Sequence, residues 1–180
     1  ADRIDIPDTV GYSTPQYMSR LVSEVADVTG LPVSVHCHND FGLAVANSIA
    51  GFQAGASCAH VTINGLGERA GNAALEELVM ACQCLYQIPH NIITEQLYDV
   101  SKFVSSAMGI IVQPNKAIIG ENAFGHESGI HTHGIINNPL TYEPISPELV
   151  GRKRWMQAGK HAGAHGIKAI LDEFGITASD

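Results

Sequence analysis

Positive charge is scarce in this 180-residue chain: 10 Lys and Arg stand against 18 Asp and Glu, a formal net charge of −8. Neutralising phosphates needs a basic face, which argues against general nucleic-acid binding. Any anionic ligand must then be met locally, by a metal, a helix N-terminus or a single Arg. Cysteine is also sparse. Cys37, Cys58, Cys82 and Cys84 are too few for a disulfide scaffold and fit a reducing, cytoplasmic setting. No run of about 18 apolar residues offers a membrane span. The opening Ala1-Asp2-Arg3-Ile4-Asp5 alternates charge and apolarity, unlike a signal or transit peptide. With 45% hydrophobic residues and no low-complexity tract, the chain is globular rather than disordered.

What is present is a repeat of organisation. Short β-like runs close at Ile6-Pro7-Asp8-Thr9, at Val35-His36-Cys37-His38 and at Ile63-Asn64-Gly65-Leu66, steps of 29 and 28 residues from Ile6 to Val35 to Ile63. A helical pattern follows each run. Thr14 is placed to N-cap the first helix with Pro15 at N1, where its missing donor costs nothing. Tyr17, Met18, Leu21, Val22, Val25 and Val28 form its apolar stripe, and Gly30 and Pro32 stop it. The second stripe is Leu43, Ala46, Ile49 and Ala50, ended by Gly55; the third is Leu75, Leu78, Val79, Cys82, Leu85 and Tyr86. Strand–helix units at this spacing predict an α/β fold with a parallel sheet. A fourth helix is expected over 94–108, with Thr94 as N-cap, Leu97, Val100, Val104, Ala107 and Met108 inward, and Gly109 at C′. Residues 110–163 are rich in Gly, Pro, Asn and His without strong periodicity, and 165–174 suit a short final helix.

Parallel α/β folds carry their ligand sites at the carboxyl ends of the strands. Those ends are polar here: Asp8 and Thr9; His36, His38, Asn39 and Asp40; Asn64, Glu68, Arg69 and Asn72. On a strand, residues i and i+2 share a face about 6.6 Å apart. His36 and His38 can therefore converge on one divalent ion (Zn, Mn or Mg) while Cys37 packs toward the helices. The plainer alternative makes one His a satisfied core residue and the other a donor behind it. In the loop Asn64 to Asn72, three Gly allow close backbone approach, but the Gly-Lys-Ser/Thr ending of a P-loop is missing. Glu68-Arg69 reads equally as an ion pair bracing that loop. The segment from Asn122 to Gly134 concentrates His126, Glu127, His131 and His133, which suits acid–base work, a second metal site or a solvated helix.

Together these motifs resemble the metal-dependent 2-oxo acid condensing enzymes: the isopropylmalate, homocitrate and citramalate synthases, with hydroxymethylglutaryl-CoA lyase more distant. The matching stretches are Pro7 to Gly11, Val35 to Val45 (VHCHNDFGLAV), Asn64 to Leu75 (NGLGERAGNAAL), Gln113 to Ala117 and His126 to Gly134 (HESGIHTHG). The resemblance runs to about Lys160 and reads closest to the archaeal-type isopropylmalate branch. It implies the last three βα units of a (β/α)8 barrel followed by a mainly helical subdomain, with residues 1–109 in the barrel part and 110–180 as linker and subdomain. It further implies metal ligation by His36 and His38 with Asn72 at or near the ion, and contact of Thr9 with the 2-oxo acid. His131 and Tyr142 match a pair delivered to a partner's active site, which implies a homodimer with subdomain exchange. Acetyl-CoA would be the co-substrate. No Cys stands at Glu68-Arg69-Ala70, where the lyase relatives carry one, so a synthase is expected. Two departures matter. Gly159-Lys160-His161-Ala162-Gly163 has Ala where the family has Ser, and the Arg-Asp-Gly segment that supplies an Asp ligand and a catalytic Arg is absent.

Overall fold

Thr14 opens the first helix as its sequence requires. Its backbone is extended (φ −92°, ψ 158°) and its hydroxyl accepts from the Tyr17 amide, while Gly30 closes the helix at φ 64°. The computed structural model describes residues 1–126, 143–156 and 171. Two compact units divide the chain: Ala1–Ile92 with Phe103–Gly109, and Ile93–Lys102 with Ile110–Asp180.

In the first unit, strands β1 (Ile4–Asp8), β2 (Val33–Cys37) and β3 (Cys58–His60) form a parallel sheet in the order β1-β2-β3. Helices α1 (Pro15–Thr29), α2 (Ala44–Gln53) and α3 (Leu75–Ala81) follow the strands in turn. Parallel strands need crossovers, and the helices supply them. Alternation then sorts the side chains. Ile6, Val33, Val35 and Cys37 enter a core with Met18, Val22, Ala44, Ala56 and Ala73. Gly51 lets α2 lie close on β2, for a Cβ there would stand 2.9 Å from Val35 Cγ1.

Several expectations are corrected. The third strand ends at His60 rather than near Ile63, because Asn64 (φ 62°) and Gly65 (φ 69°) turn the chain and Thr62 bridges to Ala74. Tyr17 and Val28 of the first stripe are exposed, as is Ala46 of the second. The third helix changes to a π-helical turn over Cys82–Tyr86, which leaves Leu85 and Tyr86 at the surface.

In the second unit, Thr94 is the first residue of a 3-10 turn, Thr94–Gln96, and the N-cap position belongs to Ile93. That turn leads into α4 (Leu97–Met108), which is divided between the units and whose buried residues are Leu97 and Ser101; Val100, Ala107 and Met108 are exposed. Short strands β4 (Gly125–His126) and β5 (Trp155–Met156) pair in parallel. Arg152 is buried, donates to the carbonyls of Gly120 and Glu121, and lies over the Tyr98 ring at 4.7 Å. Arg154 grips the buried Glu143 carboxylate with both arms of its guanidinium, which raises its own pKa. The Arg152-Lys153-Arg154 run is thus structural at its two ends.

Candidate metal centre at the strand ends

Strand alternation puts Ser34 and His36 on the side of the sheet away from Cys37, with His36 in register between Pro7 of β1 and His60 of β3. His38 lies one residue beyond β2 and forms an antiparallel bridge with Asn72. Backbone bonds from Asn39 N to Gly71 O (2.9 Å) and from Ala73 N to Cys37 O (3.1 Å) bind the Gly-rich loop to the end of β2. Gly71 makes that approach possible: it is at φ 87°, and a Cβ there would overlap the Gly65 carbonyl oxygen.

The result is a convergence of three side chains. His36 Nε2 lies 3.3 Å from His38 Nε2 and 3.1 Å from Asn72 Nδ2. Two imidazole nitrogens bound to one tetrahedral ion at about 2.0–2.1 Å would stand roughly 3.4 Å apart. The pair therefore fits a shared divalent ion. His38 Nδ1 is buried and has no hydrogen-bond partner among the described residues, a further sign of a polar site whose pairing is incomplete. The facing atom of Asn72 is its amide nitrogen, a donor; turning the amide over brings Oδ1 to the same place. Among the described residues no group of three His, Cys, Asp or Glu is close enough to hold an ion, so His36, His38 and Asn72 form a partial ligand set.

Electrostatics favour lone pairs here. Burial, reinforced by the neighbouring His38 and His60, lowers the His36 pKa, with Asp5 opposing. Cys37 is fully buried, and burial pushes its thiol up to about 11, which suits packing rather than ligation.

The surrounding loops are braced by residues that sequence reasoning undervalued. The buried Asp8 carboxylate accepts from the amides of Tyr12 and Ser13, and buried Asn47 of α2 donates to the Ser13 carbonyl (2.9 Å). Arg69 spans all three strand ends. It holds both oxygens of Asp40 (2.8 and 3.0 Å) and the Thr9 carbonyl (2.8 Å), and its guanidinium keeps the Asp40 carboxyl below the usual carboxylate range. Glu68 stands farther off, at 3.7 Å, so the principal partner of Arg69 is Asp40. Thr9 is exposed just beyond β1. His131, Tyr142, Glu127 and His133 lie outside the described residues, as does the side chain of His126. His60 is the register partner of His36 on β3, a neighbour that depends on the pairing of the two strands rather than on local sequence.

Comparison with known proteins places this chain in a family. Residues 1–104 match the HMGL-like family model. The chain belongs to the HMGL-like family. Residues 118–180 match a second model, the homocitrate synthase post-HMGL domain-like family. Among curated HMGL-like relatives, 2-isopropylmalate synthase of Sulfurisphaera tokodaii is 60% identical over 181 residues, covering 100% of this chain and 47% of that protein. An (R)-citramalate synthase of Methanocaldococcus jannaschii is 53% identical over 180 residues, covering 100% of this chain and 37% of its own length. This HMGL-like chain thus spans less than half the length of these relatives. An HMG-CoA lyase of Acenitobacter baumannii, solved with coenzyme A and 3-methylmalate, superposes with a TM-score of 0.55 at 28% identity over 60% of this chain and 37% of that one.

Proposed function

We propose that this chain is the later part of a metal-dependent acyltransferase that condenses acetyl-CoA with a 2-oxo acid, 2-oxoisovalerate giving 2-isopropylmalate in leucine biosynthesis. The observation that carries the reading is the 3.3 Å convergence of His36 and His38 beside Asn72, at the carboxyl ends of parallel strands. The named relatives supply the reaction class. The three βα units are read as the last three of a (β/α)8 barrel, which needs about 250 residues. Among the described residues neither β1 nor β3 has a partner on its outer edge, as a segment of a larger closed sheet requires. Residues 1–109 then end the barrel domain, and 110–180 form linker and helical subdomain. The family-model boundaries at 104 and 118 support that division.

In this reading His36 and His38 hold a Zn, Mn or Mg ion with Asn72 beside it. The ion, when bound, polarises the 2-oxo acid carbonyl as a Lewis acid. Thr9 orients the 2-oxo acid, and Arg69 holds the Thr9 backbone in place. His131, oriented by Tyr142, takes a proton from the acetyl-CoA methyl group. That methyl carbon bonds to the keto carbon, whose oxygen is protonated, and water then hydrolyses the thioester to release coenzyme A. The His131–Tyr142 pair acts on a partner subunit in a cytoplasmic homodimer. No described helix is long and apolar enough to cross a membrane. The citramalate synthase relative keeps a second reading open within the same chemistry, with pyruvate as acceptor; homocitrate synthesis from 2-oxoglutarate is the third.

The 180 residues alone should release no coenzyme A with any of the three 2-oxo acids, because no Arg-Asp-Gly segment is present. Exchanged for the matching segment of the Sulfurisphaera tokodaii enzyme, they should sustain coenzyme A release with 2-oxoisovalerate. A chimera that folds and prefers pyruvate or 2-oxoglutarate would move the assignment to another branch. One that is inert with all three would sink it.

A further inference from the structure

A ligating imidazole has two nitrogens, and the one turned away from the ion decides whether the other is available. In His36 that rear atom is Nδ1, and it faces Nδ1 of His60 at 3.3 Å, with the rings 5.5 Å apart and nearly perpendicular. Two such nitrogens can share only one proton. The front of His36 indicates which carries it. Ligation through Nε2, the atom that faces His38 at 3.3 Å, requires a lone pair there, so the single proton of neutral His36 resides on Nδ1. Nδ1–H then donates to His60, which accepts through its own Nδ1 and carries its proton on Nε2.

We propose that His60 is a positioning residue for the metal centre: it accepts from His36 Nδ1–H and so holds His36 in the tautomer whose Nε2 lone pair points at the ion. The proposal rests on the reading of His36 and His38 as ligands and adds a residue that reading does not contain. The sheet enforces the contact, since His36 and His60 are register partners on adjacent parallel strands. Asp5 completes the row. Its Oδ1 accepts from the buried Ser34 hydroxyl at 2.8 Å. Its Oδ2 is 3.8 Å from His60 Nδ1, too long for a hydrogen bond and farther than the His36 nitrogen. The carboxylate therefore acts through its field, favouring the positive charge that an ion draws onto the two rings.

The test is long-range proton–nitrogen NMR on the 180-residue chain with 15N-labelled histidine, at a pH where the imidazoles are neutral. His36 should be the Nδ1–H tautomer, the minority form of a free side chain in water. In His60→Phe it should revert to Nε2–H; in His60→Gln, whose amide oxygen also accepts, it should stay Nδ1–H. Calorimetric Zn2+ affinity should fall about 10- to 100-fold in His60→Phe and be largely kept in His60→Gln. An Nε2–H His36 in the unaltered chain, or an unmoved tautomer in a folded His60→Phe, overturns the proposal. His38→Ala separates it from the parent reading. Zn2+ binding that survives His38→Ala defeats the ligand assignment, whereas loss in His38→Ala with no effect of His60→Phe defeats the positioning role alone.

Discussion

The two faces of the three-stranded sheet share one backbone and have opposite chemistry. Toward the helices stand Ile6, Val33, Val35 and Cys37, all buried against Met18 and Val22. On the other side, Asp5, Ser34, His36, Cys58 and His60 follow at the alternate positions; Asp5 and His60 are exposed, His36 and Cys58 half-buried and Ser34 buried. Burial of the first row stabilises the unit. The second row contributes little to that burial and is free to carry charge, lone pairs and a ligand site. A shift of one residue in β2 would exchange the two rows, so the apolar pattern that fixes the register also aims His36.

The largest expected effect comes from breaking the helix side. Met18 is 1% exposed, and Met18→Ala removes packing from the core it shares with Ile6, Val33 and Val35, at a cost of about 2–5 kcal/mol. His60→Ala, on the open face, should stay within about 0.5 kcal/mol. Urea unfolding of both variants measures the contrast. Equal losses would mean that the open face supports the fold as much as the core does.

Thiol chemistry sharpens the same comparison. Cys37 points to the core and Cys58 to the opposite side, where it is half-buried. Burial and the upward shift of its thiol to about 11 should slow alkylation of Cys37 relative to Cys58 by roughly 100-fold or more at pH 8. Exposed Cys84 serves as the fast reference. Peptide mapping after timed iodoacetamide exposure reads the rates. Comparable labelling of Cys37 and Cys58 would show that the sheet does not keep its two faces apart.

Much of this organisation was legible in the residues, for physical reasons that can be named. Thr14-Pro15 and Gly30 bound α1 because caps are local chemistry. The His-x-His convergence follows from the two-residue strand period. What depended on distant contacts was not legible. Val61-Thr62-Ile63 continues the alternation of a strand, yet the chain turns at Asn64 because Thr62 pairs with Ala74 instead. In α4 the apolar stripe predicts the inward face, but Ser101 is buried and Met108 exposed, since periodicity marks a stripe without saying which neighbour covers it. Arg69 looked like half of a local pair with Glu68; its partners, Asp40 and Thr9, are 29 and 60 residues away.

That reach makes Arg69 the subtlest test of how the open face is held. Its guanidinium joins the loops after β1 and β2 to the loop that carries Asn72, yet its side chain is 43% exposed and lies outside the apolar core. Arg69→Ala should therefore leave global unfolding nearly unchanged while loosening the strand-end loops. The amides of Asn39 and Ala73, which bond across those loops, report the change directly. Their hydrogen exchange should quicken about three- to tenfold, while that of Val35 inside the sheet is unaffected. Arg69→Lys should not restore protection, because a single ammonium cannot hold both Asp40 oxygens and the Thr9 carbonyl as the planar fork does. Unchanged exchange in Arg69→Ala, or full recovery with Lys, would mean that the Gly71-centred backbone bonds order these loops without the side-chain clamp.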